Sequence, residues 1–378
     1  MTASAYIHIP FCSHKCDFCD FAAFAGMDHL EDQYASVVCE EISARLKEAT
    51  GRQPIQTLFY GGGTPGLVKA ETVARIHERL VQETGIDPGA EVTIETTPHA
   101  ITADKVRDWI EIGISRISVG VESLQDNELK AIGRDHTRAQ AYDGVGLACT
   151  NGCENVSCDF MYCLPTQTLL SWQATLTDFV SLAGEFPQIK HVSAYGLHLA
   201  NNSPLFSRFP KTSDAYPNDE TFEQMYQTLV ETLANAGFHQ YEISNFCKAG
   251  FESTHNLSYW QNAQYYGFGV SAHRYVRQIR SSNWRSLARY MKDFLGDETA
   301  EIIDPDTRMR EAIMLGLRMR SGIDLSQFQT EFALDLVQAK KKPLETLLAL
   351  AFIEIKEGHL RITQKGVPVS NSIIAELI

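Results

Sequence analysis

Several features that assign chains to common classes are missing from this sequence. No apolar run approaches the roughly 20 residues that a membrane-spanning helix needs, and the first residues do not form a signal-peptide pattern. Basic residues are outnumbered, 33 against 47 acidic ones, and the resulting net charge of −14 repels phosphate backbones. We therefore expect a cytoplasmic protein that has no transmembrane segment and does not bind nucleic acid.

A disulfide framework is also missing. The nine cysteines are an odd number scattered over the chain, which fits reduced thiols in a reducing compartment. The length of 378 residues and the hydrophobic fraction of 44% predict one large domain with a buried core and a smaller second domain.

Short strand patterns alternate with helical patterns through the first two thirds of the chain. Apolar residues at three- and four-residue spacing, such as Val73, Ile76 and Leu80, indicate the helices. Six such units predict an α/β fold with a parallel sheet, either a barrel or an open doubly wound sheet. The predicted strands are Ala5–Ile9, Gln56–Tyr60, Glu91–Glu95, Arg116–Val121, Val156–Met161 and His191–Leu197.

The alternation stops after Leu199, and a predicted helix from Asp219 to Ala236 follows a proline-containing stretch. A second change of pattern comes near Asp304-Pro305. We therefore predict a core domain over residues 1–200, an extension over 201–303 and a C-terminal domain over 304–378. In the last part, helices followed by strand, turn and strand resemble a smaller α+β winged-helix-like module. The acidity of the chain argues against DNA binding by this module.

Three cysteines lie within eight residues directly after the first predicted strand, in the run Cys12-Ser13-His14-Lys15-Cys16-Asp17-Phe18-Cys19. Thiolates are soft ligands that select iron–sulfur clusters or zinc, and three of them leave one iron of a [4Fe-4S] cluster open. Two other interpretations stay open. A structural zinc site would use the same cysteines with His14, although such sites usually take two separated pairs of ligands. A thioredoxin-like pair of Cys16 and Cys19 would leave Cys12 without a role.

Two further motifs follow predicted strands. The run Gly61-Gly62-Gly63-Thr64-Pro65 allows a ligand to approach the backbone closely, or it forms a tight turn between a strand and a helix. Glu95 closes the third strand, where a carboxylate either binds a ligand or is merely solvated. Motifs at the carboxyl ends of parallel strands are where both barrels and open sheets build their sites.

Taken together, these motifs resemble the radical S-adenosylmethionine (SAM) superfamily, and within it the coproporphyrinogen III oxidase-like subgroup. The resemblance covers essentially the whole chain and implies a partial (β/α)6 barrel of the TIM type. It implies that Cys12, Cys16 and Cys19 bind a [4Fe-4S] cluster whose open iron binds SAM. The residues that the resemblance implies in SAM binding are Tyr6, Phe18, Gly62, Gly63, Thr64, Glu95, Arg134 and Asp159.

The chain departs from the subgroup at three of these motifs. Glu122 occupies the position of a usual glutamine and adds a negative charge beside a second SAM position. Thr97 replaces a usual asparagine, and Cys163 replaces a usual glycine. We include Glu122 among the candidate cofactor-binding residues.

Other features resemble the heme-chaperone branch of the subgroup more than its oxidases. Phe21 stands where oxidases have a fourth cysteine, and only five residues precede Tyr6, where oxidases have an N-terminal extension. The run His255-Asn256-Leu257-Ser258-Tyr259-Trp260 matches a chaperone motif that is implied in heme handling. The resemblance implies transfer of heme, as cargo, to acceptor apo-hemoproteins, with a low-potential electron donor. The alternative is an oxygen-independent oxidase that decarboxylates coproporphyrinogen III propionates with a 5′-deoxyadenosyl radical.

The residues of heme binding have alternatives of their own. His255 is a candidate ligand of heme iron, but a histidine in such a motif can equally hydrogen-bond within a packed loop. Arg274, Arg277 and Arg280 are candidates to pair with heme propionates, or they cover an exposed strand face.

Overall fold

One large sheet organises the computed structural model, which describes residues 3–47, 53–198 and 203–378. Twelve strands of the described residues belong to this sheet, and its central seven are parallel. The two edge strands do not pair with each other, so the sheet is an open, partial barrel. In spatial order the strands are Asp297–Ile302, Ile279–Asn283, His273–Val276, Tyr265–Phe268, Ala3–Ile9, Ile55–Gly62, Ile86–Thr96, Arg116–Glu122, Val156–Tyr162, Ile189–Gly196, Asn245–Cys247 and His239–Gln240.

The predicted parallel strands are all present, and the α/β architecture is confirmed. The sixth strand ends at Gly196, one residue earlier than predicted. The seventh parallel strand, Tyr265–Phe268, was not predicted. It pairs with Ala3–Ile9 in parallel register and extends the sheet beyond the first strand. The predicted boundary between residues 200 and 201 lies outside the described residues.

Helices connect the parallel strands and bury one apolar face each. Val73, Ile76 and Leu80 are fully buried, as their spacing predicts. Threonine side chains cap several helices, and Thr137 forms a capping box with Gln140. None of the described helices is long and apolar enough to cross a membrane. The helices up to residue 316 are Glu31–Lys47, Ala70–Thr84, Ala103–Ile112, Asp126–Ala131, Arg138–Thr150, Leu169–Glu185, Pro204–Arg208, Asp219–Asn235, Thr254–Trp260, Leu287–Lys292 and Pro305–Gly316.

The C-terminal part forms a small α+β module after the helix Pro305–Gly316. Asp304 caps this helix, because its Oδ1 accepts from the Asp306 and Thr307 N–H groups at 2.9 and 3.0 Å. The order of helices followed by strand, turn and strand agrees with the sequence pattern, whereas the exact domain limits stay a prediction. The remaining elements are the strands Ile323–Asp324, Ile353–Lys356 and His359–Ile362 and the helices Leu325–Phe332, Leu336–Ala339, Lys341–Ala349 and Ser370–Leu377.

A buried carboxylate on the helix Glu31–Lys47 forms hydrogen bonds with three segments that are distant in the sequence. Glu41 is fully buried and forms an ion pair with Arg45 at 2.8 Å. It also accepts hydrogen bonds from the Tyr290 hydroxyl (2.7 Å) and the Asn283 amide (2.7 Å). The Gly269 N–H is a further donor at 2.9 Å. Burial raises the pKa of Glu41, and the charge of Arg45 opposes that shift. This one side chain therefore satisfies donors from three distant segments.

Replacement of Glu41 by Ala should lower the free energy of unfolding by about 3 kcal/mol, because it leaves a half-buried cation and several buried donors without their acceptor. The neighbouring Glu40 is exposed and is the matched control; Glu40→Ala should change stability by less than about 0.5 kcal/mol. Urea unfolding followed by circular dichroism measures both. Equal midpoints for the two variants would show that the Glu41 network contributes little.

Candidate functional site

The three cysteines predicted to bind metal lie in a loop at the carboxyl end of the first strand. Cys12 belongs to a two-residue strand, Phe11–Cys12, that pairs with Phe24–Ala25 and closes the loop. The Cys19 N–H donates to the Cys16 carbonyl at 3.1 Å and turns the chain between them. All three cysteines are partly exposed and have free thiols. A ligand that enters from solvent therefore reaches this loop directly.

The surroundings of these thiols disfavour spontaneous ionisation. Burial raises the pKa of Cys12 to about 11, and it also raises the pKa values of Cys16 and Cys19. The charge of Arg134 opposes this effect at all three thiols, and its Nη1 donates to the Cys16 sulfur at 3.2 Å. A bound metal deprotonates a coordinating thiol outright. A bound metal would thus supply the stabilisation of the thiolates that the protein alone does not give.

A zinc site and a four-iron cluster differ in how close together their ligand atoms must lie. Zinc in a tetrahedral site holds its thiolates about 3.8 Å apart, given Zn–S bonds of about 2.3 Å. Within the described ranges, Cys12, Cys16, Cys19 and His14 do not bring three ligand atoms within 4.8 Å of one another. A four-iron cluster is larger than one ion and does not need its ligand atoms this close together. The thioredoxin-like alternative is not supported, because Cys16 and Cys19 lie in a loop and not at a helix start.

The glycine turn after the second strand packs directly on the cysteine loop. A Cβ at Gly62, whose φ is 117°, would lie 2.6 Å from the His8 ring, and one at Gly63 would lie 2.7 Å from the Phe11 carbonyl oxygen. Only glycine fits at both places. Thr64 Oγ1 lies 3.6 Å from the Cys12 sulfur. The run is therefore a tight turn, and it also forms one side of the cysteine site.

Three acidic side chains meet at the carboxyl ends of neighbouring strands. Burial, together with the nearby charge of Asp159, raises the pKa of Glu95 to about 7. Burial also raises the pKa of Glu122 to about 7, although Arg134 opposes the shift from 3.9 Å. The Gly62 N–H donates to Glu95 at 3.1 Å. Glu95 is therefore not a solvated strand end, and a cationic ligand would stabilise its ionised form.

A polar network surrounds Asp159 and the buried Arg116. Asp159 accepts hydrogen bonds from the Ser118 and Ser157 hydroxyls at 2.8 and 3.2 Å. Arg116 is almost completely buried, and its Nη2 lies 3.1 Å from His191 Nδ1. Its positive charge opposes the raised pKa of Glu95. The positive charge of Arg116 thus partly balances the negative charge of the carboxylates.

A cavity of about 230 Å³ is lined both by these charged groups and by aromatic rings. Glu95 and Asp159 line it together with Tyr6, Phe59 and Tyr259, whose rings form an aromatic wall. The Tyr6 and Phe59 rings are stacked with centroids 6.2 Å apart. Such a cavity suits a ligand that combines a cationic group with an apolar or aromatic part.

His255 lies at the edge of the same cavity, but both of its ring nitrogens have partners. Nδ1 is 2.9 Å from Thr57 Oγ1, and Nε2 is 2.9 Å from the Tyr259 hydroxyl. The ring stacks on Phe59 at 5.1 Å. Burial lowers the pKa of His255 to about 3, so the ring is neutral. This arrangement agrees with the packed-loop interpretation, and iron ligation by His255 stays a prediction.

Comparison with known proteins identifies the family. Residues 6–179 match the Radical SAM superfamily, and residues 303–369 match the HemN C-terminal domain. The heme chaperone HemW of Bacillus subtilis is 31% identical over 99% of this chain and 99% of its own length. HemW of Synechocystis sp. is 35% identical over 88% of this chain and 83% of its own. This chain belongs to the HemW family. Coproporphyrinogen III oxidase HemN from Escherichia coli has a TM-score of 0.85 at 21% identity, covering 100% of this chain and 90% of its own, so this chain has the same fold.

As a radical SAM protein, a HemW-family member is implied to bind a [4Fe-4S] cluster and SAM. The residues present fit both groups. Three free thiols share one loop, and the glycine turn beside them has no room for side chains. Glu95, whose pKa is raised by burial, lines the adjoining cavity, where a cationic group would stabilise its ionised form.

Most of the predicted site residues converge at this end of the sheet. Phe18 differs, since it packs into a separate apolar cluster with Met161 and Leu164. Arg116 was missed by sequence reasoning, although a single basic residue opening an apolar strand was a usable signal. The predicted propionate partners are engaged within the protein. Arg274 is buried and paired with Asp297, and Arg280 forms ion pairs with Glu311 (2.6 Å) and Glu301 (3.3 Å).

Replacement of Cys16 by Ser should abolish the iron–sulfur absorbance after anaerobic reconstitution, because the cluster needs all three thiolates of the loop. Cys39→Ser is the control, since this buried thiol lies on the helix Glu31–Lys47, outside the loop. It should keep the iron content and spectrum of the unmodified protein. A Cys16→Ser protein that retained four irons per chain would contradict the cluster assignment.

Binding of SAM should release protons near pH 7. Because the pKa of Glu95 is raised from 4.5 to about 7, a large share of this carboxyl is protonated before binding, and an ammonium ligand favours its ionised form. SAM affinity should therefore fall as the pH drops below 7. Calorimetry of the reconstituted protein in two buffers with different ionisation enthalpies measures the released protons.

Glu95→Gln should reduce this proton release and weaken SAM binding at pH 8 by about 1–3 kcal/mol, the range for a charge-assisted hydrogen bond. The exposed Glu111→Gln is the control and should leave both quantities unchanged. Unaltered proton release and affinity in Glu95→Gln would show that Glu95 does not contact SAM.

Proposed function

We propose that this chain is a heme chaperone that holds a [4Fe-4S] cluster and SAM, binds heme as cargo and transfers it to acceptor apo-hemoproteins. The observation that carries the proposal is the full-length similarity to HemW proteins. It extends beyond residues 6–179, which match the superfamily as a whole, into the segments that contain His255 and the C-terminal module.

The cysteine loop and the strand ends are the proposed cofactor site. Cys12, Cys16 and Cys19 would hold the cluster, and Arg134 would steady the charge of the Cys16 thiolate through its 3.2 Å contact. When bound, the cluster and SAM supply one-electron chemistry. Glu95 would accept from the SAM ammonium, and its N–H contact from Gly62 fixes its orientation.

The remaining implied SAM contacts fall into two groups. Tyr6 and Asp159 line the cavity of about 230 Å³ directly. Gly63 and Thr64 form the turn beside Cys12, and Glu122 pairs with Arg134 behind the cavity. Glu122 is already engaged by this cation, which supports a role in charge balance over one as a second SAM acceptor.

The position of Phe21 supports a chaperone over an oxidase. Its side chain is 66% exposed beside the cysteine loop, where the oxidases of the subgroup have a fourth cysteine. An exposed phenylalanine offers apolar contact to a porphyrin but no thiol. Cytoplasmic location belongs to the same proposal and is supported by the free thiols. A low-potential electron donor also belongs to it and is supported by the implied cluster.

The deciding experiment exposes the reconstituted protein to hemin and to coproporphyrinogen III. Hemin added without SAM should bind at one per chain and give a Soret band, because cargo binding does not need SAM cleavage. Coproporphyrinogen III with SAM and a low-potential reductant should remain undecarboxylated under anaerobic conditions. The control is the Cys16→Ser protein, which should still bind hemin. Multiple turnovers to protoporphyrinogen IX would overturn the chaperone proposal in favour of the oxidase.

A further inference from the structure

A second cavity of about 350 Å³ opens beside the aromatic wall, between the cysteine loop and the strand His273–Val276. It shares Tyr6, Phe21 and Tyr259 with the smaller cavity over the carboxylates. Its volume is within the range of small-molecule sites, about 300–1,000 Å³. The two cavities therefore form neighbouring compartments with a common aromatic wall.

The lining of this larger cavity suits a flat, largely apolar ligand. Tyr259 packs edge-on against Tyr265, with ring centroids 4.7 Å apart, and both rings face the cavity together with Tyr6. The exposed ring of Phe21 stands at the rim. Aromatic faces give large contact areas at low entropic cost, which is what a planar macrocycle needs.

Three histidines line the two cavities, and two of them have no nitrogen to offer. His8 is 4% exposed, with Nε2 3.0 Å from the Ala22 carbonyl and Nδ1 3.2 Å from the Tyr6 hydroxyl. His255 is bonded at both nitrogens, as described above. A ligand of heme iron needs a nitrogen lone pair that is free and accessible.

His273 meets this requirement. It is exposed on the cavity side, and its imidazole makes no hydrogen bond or ion pair within the described residues. Burial of part of the ring, together with the charges of Arg280 and Arg274, lowers its pKa, so the neutral form is present at physiological pH. Neutral imidazole is the form that coordinates iron.

A cation is also present at the rim. Arg285 lines the cavity, and its guanidinium forms an exposed ion pair with Asp20 at 3.1 Å. Exposed ion pairs contribute little free energy, so a carboxylate of a ligand can take over this contact at small cost. Arg285 is thus available for a propionate, unlike Arg274, which is buried against Asp297.

We propose that the cargo heme docks in this cavity with His273 as an axial ligand of its iron and with Arg285 against a propionate. This inference rests on the proposed heme-chaperone function and assigns its cargo site. Binding forms one coordinate bond from an imidazole nitrogen and displaces a water or chloride from the iron, with no change of oxidation state. Release reverses that step when an acceptor protein offers its own ligand.

The test is a hemin titration of the full-length protein without SAM, followed by absorbance and resonance Raman spectroscopy. Loss of groups that only orient a metal ligand already costs about 10- to 100-fold in affinity, so His273→Ala should weaken hemin binding at least about tenfold and shift the Soret band. Added imidazole should restore the original spectrum in His273→Ala. Iron-free protoporphyrin IX should bind the variant as it binds the unmodified protein, because no coordinate bond is involved.

Matched variants separate coordination from packing. His359→Ala, which removes a histidine from the C-terminal module, should leave hemin binding unchanged. Arg285→Glu should weaken binding of both hemin and protoporphyrin IX without a Soret shift. His255→Ala should keep the Soret position.

Two results have different meanings. An unmodified protein that binds no hemin would overturn the proposed function itself. Stoichiometric hemin binding with an unchanged spectrum and affinity in His273→Ala, or a Soret shift in His255→Ala alone, would overturn only the assignment of His273.

Discussion

Two backbone hydrogen bonds hold the glycine turn against the cysteine loop, and the whole site depends on them. The Gly63 N–H donates to the Ile9 carbonyl, and the Thr64 N–H donates to the Phe11 carbonyl, both at 2.8 Å. This contact leaves no space for a Cβ at Gly63. The close approach of the loop therefore requires glycine at this position of the turn. Because the turn also carries the N–H that orients Glu95, the thiols and the carboxylates are fixed relative to each other.

Without a ligand, the acidic side chains of the site outnumber the basic ones. Glu95, Glu122 and Asp159 are held near one another at low exposure, whereas the cations nearby are Arg116 and Arg134. Arg134 is divided between Glu122 and the Cys16 sulfur, so its charge is only partly available to the carboxylates. Burial of uncompensated charge is expensive, and the raised pKa values of Glu95 and Glu122 let these two carboxyls avoid it by taking up protons. A cationic ligand replaces those protons, which links binding to pH.

The sequence predicted the parts of the structure that depend on local patterns, and it missed those that depend on distant segments. Alternating strand and helix patterns located six parallel strands, whereas the binding of a cluster by the cysteine loop stays a prediction. The strand Tyr265–Phe268 has only four residues and includes Gly267, so it lacks a strong strand signal; its partner is the first strand, more than 250 residues away. Likewise, nothing near His255 in the sequence reveals Thr57, which occupies one of its nitrogens from another strand.

The shared aromatic wall gives His255 a role that does not require iron ligation. Its Nε2 holds the Tyr259 hydroxyl at 2.9 Å, and its ring meets that of Tyr259 edge-on at 4.9 Å. Tyr259 in turn packs on Tyr265, so one histidine sets the position of two rings of the larger cavity. Since Tyr259 also lines the smaller cavity, a ligand over the carboxylates contacts the same wall as a ligand beside His273. The motif from His255 to Trp260 thereby shapes the wall that both cavities share.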